Sequence, residues 1–211
     1  MTAAGPAAAS APRRRGRPAR TGAADGPGAR DRILAAARAE FAERGYDKTS
    51  VRGIAKTAGV DPALVHHYFG TKEQVFAAAI ELSMAPALSV PEAVVAGERR
   101  GAGERMARGM FQVWESPETR APMLAVLRSA VTNETAAGVL RSLIERRVLE
   151  RMAVELGGVP DPKFRAQLAS GQLIGIAMLR YVIRMEPIAS ADIEEIIAMV
   201  GPTLQRYLTE S

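Results

Sequence analysis

The stretch "TSVRGIAKTAGVDPALVHHYFG", residues 49–70, constrains this chain more than any other. Apolar residues recur at helical spacing on both sides of Gly59, and each side carries its own start and stop signals. Thr49 or Ser50 can cap a first short helix whose stripe is Val51, Ile54, Ala55 and Ala58. Gly59 permits the sharp turn that stops it. Asp61 caps a second helix with Pro62 at its first position, where a missing N–H costs nothing. Leu64, Val65, Tyr68 and Phe69 give that helix its apolar side, with Val65 and Phe69 assigned to the core, and Gly70 ends it. Helix, glycine-centred turn, short helix is the sequence form of a helix-turn-helix, and also of an ordinary helical hairpin.

The flanks bear on that choice. Upstream, Ile33, Leu34, Ala37 and Phe41 form one face of a helix from Arg30, with Arg32, Arg38, Glu40 and Glu43 opposite and Gly45 as a left-handed cap. Downstream, Thr71 and Gln74 have the spacing of a capping box, opening a helix with Val75, Phe76, Ala79, Ile80 and Met84 on its buried side. Residues 1–70 hold 12 Lys and Arg against 6 Asp and Glu, whereas the rest holds 16 against 17. The whole basic excess of a chain with net charge +5 surrounds the motif, which favours a nucleic-acid face joined to a neutral partner region.

Composition narrows the remainder. The 211 residues suffice for one large domain or two small ones, and aromatics at 5% with abundant Ala, Leu and Met favour an all-α fold. No cysteine occurs, so disulfides and thiolate metal sites are excluded. His66 and His67 are the only histidines, and adjacent helical positions project about 100° apart, a poor basis for a metal site. No nucleophile–base pair or glycine-rich phosphate loop is present, so neither an enzyme nor a cofactor is expected. With no signal-peptide pattern and no uncharged apolar run near the ~20 residues of a membrane span, a cytoplasmic protein with no membrane partner is expected.

Residues 33–80, about a quarter of the chain, resemble the N-terminal DNA-binding domain of the TetR (tetracycline-repressor-like) family. The matching features are Phe41, Gly45 and Tyr46, then Thr49, "IA…AGV", the aromatic run ending in Phe69, and Lys72. The resemblance implies a three-helix helix-turn-helix domain over residues 30–71 and a larger helical ligand-binding and dimerisation domain over 72–211. It makes the helix at 62–68 the recognition helix, with Pro62, Ala63, Leu64 and His66 facing the major groove. Of these His66 alone offers a base-edge hydrogen bond, where the family often has Tyr. Thr49 and Ser50 place hydroxyls and free amides at a helix N-terminus, a natural phosphate seat. His67, Tyr68 and Lys72 are expected on the DNA backbone, with Arg52 in addition. Tyr68 has a second reading, packing beneath the motif.

Residues 1–29, nearly devoid of large apolar side chains, are expected to be a disordered basic arm. Within them Arg15-Gly16-Arg17-Pro18 resembles the core of an AT-hook, in which extended Arg-Gly-Arg lies in an A·T-rich minor groove. Arg15 and Arg17 are the proposed minor-groove arm; simple phosphate contact is the alternative.

Beyond residue 71, helices are expected at about 72–85, 91–114, 117–131, 133–156, 161–185 and 191–209, with Gly101 and Gly103 interrupting the second. Met106, Met110, Phe111, Trp114, Met123, Leu127 and Met152 gather on inward faces, either as core or as the lining of a cavity for an apolar effector. Arg128 either orients an anionic ligand or snorkels to water. Gly171, Gly175, Met178, Ile193, Ile197, Val200 and Leu204 mark the last two helices as a dimer interface, because too many of their faces are apolar for one monomer to cover. These readings converge on a homodimeric repressor released from a double-stranded DNA operator by a small-molecule effector. The alternative is an architectural DNA-binding protein whose second domain only dimerises.

Overall fold

The computed structural model describes residues 28–155 and 158–210, and among them every regular element is helical. Helix α1 (Ala29–Lys48) is broken at Gly45, where the first helix was expected to end, and one further turn follows to Lys48. Gly45 has the positive φ of a left-handed cap, 73°, but its ψ of 177° is extended, so the chain kinks there. Helices α2 (Val51–Ala58) and α3 (Pro62–Phe69) form where the punctuation put them. Ser50 Oγ accepts the Gly53 N–H (3.0 Å), Gly59 is left-handed, and Asp61 Oδ1 accepts the Ala63 N–H (2.8 Å). Helix α4 (Lys72–Leu88) opens with the expected reciprocal box: Gln74 N–H donates to Thr71 Oγ1 and Thr71 N–H to Gln74 Oε1.

The second part keeps the expected order of helices, with local differences. Helix α4 continues through Pro86 to Leu88, since proline near a helix end forfeits only one backbone bond. The helix expected over 91–114 with an interruption is two, α5 (Val90–Val95) and α6 (Ala102–Glu115), and left-handed Gly101 stands at the start of the second. Helix α7 (Pro117–Thr132) and helix α8 (Glu134–Ile144) follow, and a π-helical turn over Glu145–Leu149 leads into α9 (Glu150–Glu155). Helix α10 (Pro162–Ala177) ends in a π-helical segment, Met178–Ile183, before α11 (Ile193–Thr209).

Gly103 does not interrupt α6 but lets it approach α11. A Cβ there would overlap the Gly201 carbonyl oxygen and the Gln205 amide nitrogen. Gln205 closes the joint: its Oε1 accepts the Gly101 and Gly103 N–H groups (3.1 and 3.0 Å), and its Nε2 donates to the Arg99 carbonyl (2.7 Å).

Two apolar cores result. One lies beneath the helix-turn-helix and holds Ile33, Phe41, Ile54, Val65 and Phe76, completed from α7 and α8 by Val126, Leu140 and Leu143. The other holds Phe111, Trp114, Leu173, Leu204 and Leu208. Helix α4 enters both, the first through Val75 to Met84 and the second through Ala87. Among the described residues two helical stretches, 72–95 and 162–183, are long and apolar enough to cross a membrane by length and composition. The first buries its stripe in the two cores; the second leaves one face open.

Replacing Gly103 with Ala is expected to cost about 1–3 kcal/mol through overpacking of α6 on α11. Gly138→Ala on α8, where an added Cβ meets only the Arg141 guanidinium at 3.8 Å, should instead gain about 0.5–1 kcal/mol from helix propensity. Urea unfolding of both variants checks this, and equal effects would contradict the close approach.

Candidate nucleic-acid interface

The short helices α2 and α3 are aimed by a buried joint at the end of α1. Thr49 Oγ1 lies 3.0 Å from the Glu40 carbonyl and 2.8 Å from the Gly45 carbonyl. Its side chain is 2% exposed, so the phosphate seat expected there does not include the Thr49 hydroxyl. That hydroxyl ties the kinked turn of α1 to the start of α2. Glu40, itself buried, accepts from Thr57 Oγ1 on α2 (2.7 Å) and pairs with Arg44 (3.2 Å). Tyr46 packs its ring on Phe41 and Phe76, donates its hydroxyl to Glu73 Oε1 (3.1 Å), and holds the Lys72 ammonium 4.3 Å from the ring centre.

The expected DNA-facing residues separate into distinct groups. Ser50, Arg52, Ala63, His66 and His67 are exposed, Tyr68 is 43% exposed, and Pro62 and Leu64 are half-buried. Leu64 packs partly against the core beneath the motif, as do Phe69 and Val51. His67 and Tyr68 meet edge to face (5.4 Å), which presents both on the outer side of α3. Lys72 donates to the Asp47 carbonyl (3.3 Å), so its ammonium is positioned before any partner arrives. Arg30, missed in the sequence reading, lies with its guanidinium 5.4 Å from the Phe69 ring. No local pattern signals a contact between residues so distant in the chain. Arg15 and Arg17 lie outside the described residues.

His66 has one further constraint. Its Nδ1 lies 2.9 Å from the Gly70 carbonyl oxygen, while the Gly70 N–H bonds the His66 carbonyl at 2.9 Å. A carbonyl oxygen only accepts, so Nδ1 carries the proton. In the neutral ring Nε2 is then the lone-pair acceptor, and it stands on an exposed residue. Gly70 has φ 81°, and a Cβ on it would overlap the Gln74 carboxamide, so glycine is required at the pivot of this bond.

Comparison with known proteins fits this geometry. Residues 33–79 match the bacterial regulatory proteins of the tetR family, and residues 101–208 match a tetracyclin repressor-like C-terminal domain. The chain belongs to the TetR family. It is a DNA-binding transcription regulator and not an enzyme. The transcriptional regulator BetI of Rhizobium meliloti is 29% identical over 190 residues, spanning 86% of this chain and 90% of that protein. A TetR-family regulator of Streptomyces coelicolor has a solved structure at 36% identity and TM-score 0.58, covering 88% of this chain and 99% of its own. A second transcriptional regulator from that organism, at 22% identity and TM-score 0.63, shares the fold.

In this TetR-family chain the residues read as a ligand lining do not share one place. Met106, Met110 and Met152 line a small cavity of about 80 Å³ with Met84, Ile144 and Ile174, where Ser170 is the one side chain bearing a hydroxyl. Phe111, Trp114 and Met123 are core residues that do not line it, and Leu127 packs between the two cores. Arg128 is exposed on α7 and faces a different cleft, against α1. The residues read as a dimer face divide as well. Gly171 and Gly175 are exposed with open space over them, and Met178, Ile193 and Val200 are half-buried. Ile197 and Leu204 are buried in the core instead, because α11 turns that side toward α6.

Burial and the neighbouring Glu73 push the Tyr46 phenol above the ordinary phenol value of 10.0, up to about 12. The folded chain therefore holds this proton more tightly than the unfolded one. The stability it contributes is full below pH 10 and is lost as the pH rises through about 12. Burial and the neighbouring Glu115 push the Tyr181 phenol up to about 12 as well, so a phenolate absorbance titration should show two tyrosines ionising late. Tyr46→Phe should remove about half of that late step, and an undiminished step would place the proton elsewhere.

Proposed function

We propose that this chain is a homodimeric repressor that leaves its operator when a small apolar molecule enters the helical second domain. The observation that carries the DNA half is His66, exposed on α3 with Nδ1–H committed to the Gly70 carbonyl. Its Nε2 is an acceptor suited to the exocyclic amines of cytosine or adenine, and it meets only acceptors on guanine and on thymine O4. Pro62 and Ala63 allow close approach and contact with a thymine methyl. Ser50, Arg52, His67, Tyr68 and Lys72 position the helix on phosphates. Arg15 and Arg17 are proposed to extend the contact into the minor groove.

Support for the dimer comes from the open side of α10 and α11. Phe164 and Leu168 on α10, Val182 and Ile183 in the π-helical segment that ends it, and Met199 on α11 are exposed, and Gly171 and Gly175 have open space over them. A second copy covering this side would hold two α3 helices for successive major grooves, about 34 Å apart. Support for the effector comes from the methionine-lined cavity. Its 80 Å³ is far below the ~300 Å³ of an occupied ligand pocket, so an entering molecule must push its walls apart. Met84 on α4 is one of those walls, and α4 reaches the helix-turn-helix.

Operator sequences come from genome-wide mapping of bound DNA. His66→Ala is expected to cost about 1–3 kcal/mol and to relax preference at one base pair in each half-site. His67→Ala or Lys72→Ala should weaken all sequences alike and lower the salt slope by about one. A specific-to-nonspecific ratio near one for the unaltered protein would instead fit an architectural DNA-binding protein.

Sedimentation is expected to give a dimer for the unaltered chain. Gly175→Glu should be a folded monomer with lost operator specificity; a dimeric Gly175→Glu would move the interface elsewhere.

A further inference from the structure

A larger cavity lies outside the methionine-lined one. A cleft of about 570 Å³ opens between α1, α4 and α7, within the ~300–1,000 Å³ range of small-molecule sites. Its floor is apolar, with Phe41, Phe76, Ile80 and Leu124, and its rim carries Arg38 from α1 and Arg128 from α7. Among the described residues no carboxylate lines it. We infer that this cleft binds a small molecule with an apolar body and one anionic group.

The two arginines differ from others in the chain. Arg44, Arg108, Arg141, Arg147 and Arg151 each pair with a glutamate. Arg38 instead donates Nε–H to Ser83 Oγ (3.2 Å), and the Ser83 hydroxyl donates its own hydrogen bond to the Ala79 carbonyl (2.9 Å). That fixes the guanidinium while neither terminal nitrogen has a partner among the described residues. The Arg128 guanidinium likewise has none there. A second surface cleft, near Arg30 and Arg147, shows the contrast, since Glu81 and Glu92 line it and neutralise its charge. Two guanidiniums over an uncompensated apolar floor select for an anion, because each presents several N–H donors to a carboxylate or phosphate. The methionine-lined cavity holds no charged side chain and selects for a different chemistry. Because the walls come from the helix-turn-helix core and from α7, an occupant bridges the two parts of the chain.

Isothermal titration of the full chain with decanoate and 2-naphthoate, each against its uncharged amide, tests the inference independently of operator binding. At least one carboxylate should bind once per chain, about tenfold or more tightly than its amide. Arg128→Gln, an exposed substitution that leaves the fold intact, should remove most of that difference, and Arg38→Gln should do the same. Ser170→Leu, which fills the methionine-lined cavity, should leave carboxylate binding unchanged. The inference is overturned by equal affinity for acid and amide, by insensitivity to both arginine substitutions, by loss in Ser170→Leu, or by no binding at millimolar probe.

Discussion

The burial of one face of α4 in two cores is the constraint on which the rest of the structure depends. Val75, Phe76, Ala79 and Ile80 complete the core beneath the helix-turn-helix, while Ala87 at the other end belongs to the core of the second part. A three-helix unit of some forty residues buries too little apolar surface to be stable comfortably alone. Here α4, α7 and α8 supply the missing surface through Phe76, Val126, Leu140 and Leu143. The DNA-binding surface is therefore built on residues from far along the chain, and a shift of α4 cannot leave it untouched.

Polar contacts turn that shared core into a defined geometry. Tyr46 links the last turn of α1 to Glu73 and Lys72 at the start of α4, and Asn133 Nδ2 reaches from the α7–α8 corner to Asp47 Oδ1 (2.7 Å). The turn after Gly45 is thus held from two sides, and Thr49 passes that position on to α2. An occupant of either cavity acts on the same elements: the methionine-lined cavity touches α4 through Met84, and the larger cleft touches α1 and α7 directly. Coupling by such a route needs differential affinity for two arrangements of these helices and nothing more elaborate.

What the sequence disclosed followed from how local each signal is. The caps at Ser50, Asp61 and Thr71, the left-handed Gly59 and the Pro62 start depend on neighbours three or four residues away, and each took the expected place. Thr49 misled because its role is tertiary. A threonine beside a serine reads as a second cap until the Glu40 and Gly45 carbonyls are seen above it. Gly103 read as a breaker, yet it is the point where α11 lies against α6, which no spacing reveals. Ile197 and Leu204 share a helix with the open face but point to the opposite side. Periodicity alone gave too broad a stripe to divide core from interface.

Native-state hydrogen exchange on Leu140→Ala tests the shared core most directly. Leu140 lies on α8, remote in sequence from the DNA-binding helices, and is 7% exposed within their core. Truncating such a side chain costs about 2–5 kcal/mol. If one cooperative core supports both parts, protection of the α1 and α4 amides should fall by the same free energy as that of α8 itself. Unchanged protection in α1 and α4, with loss confined to α7 and α8, would contradict the account.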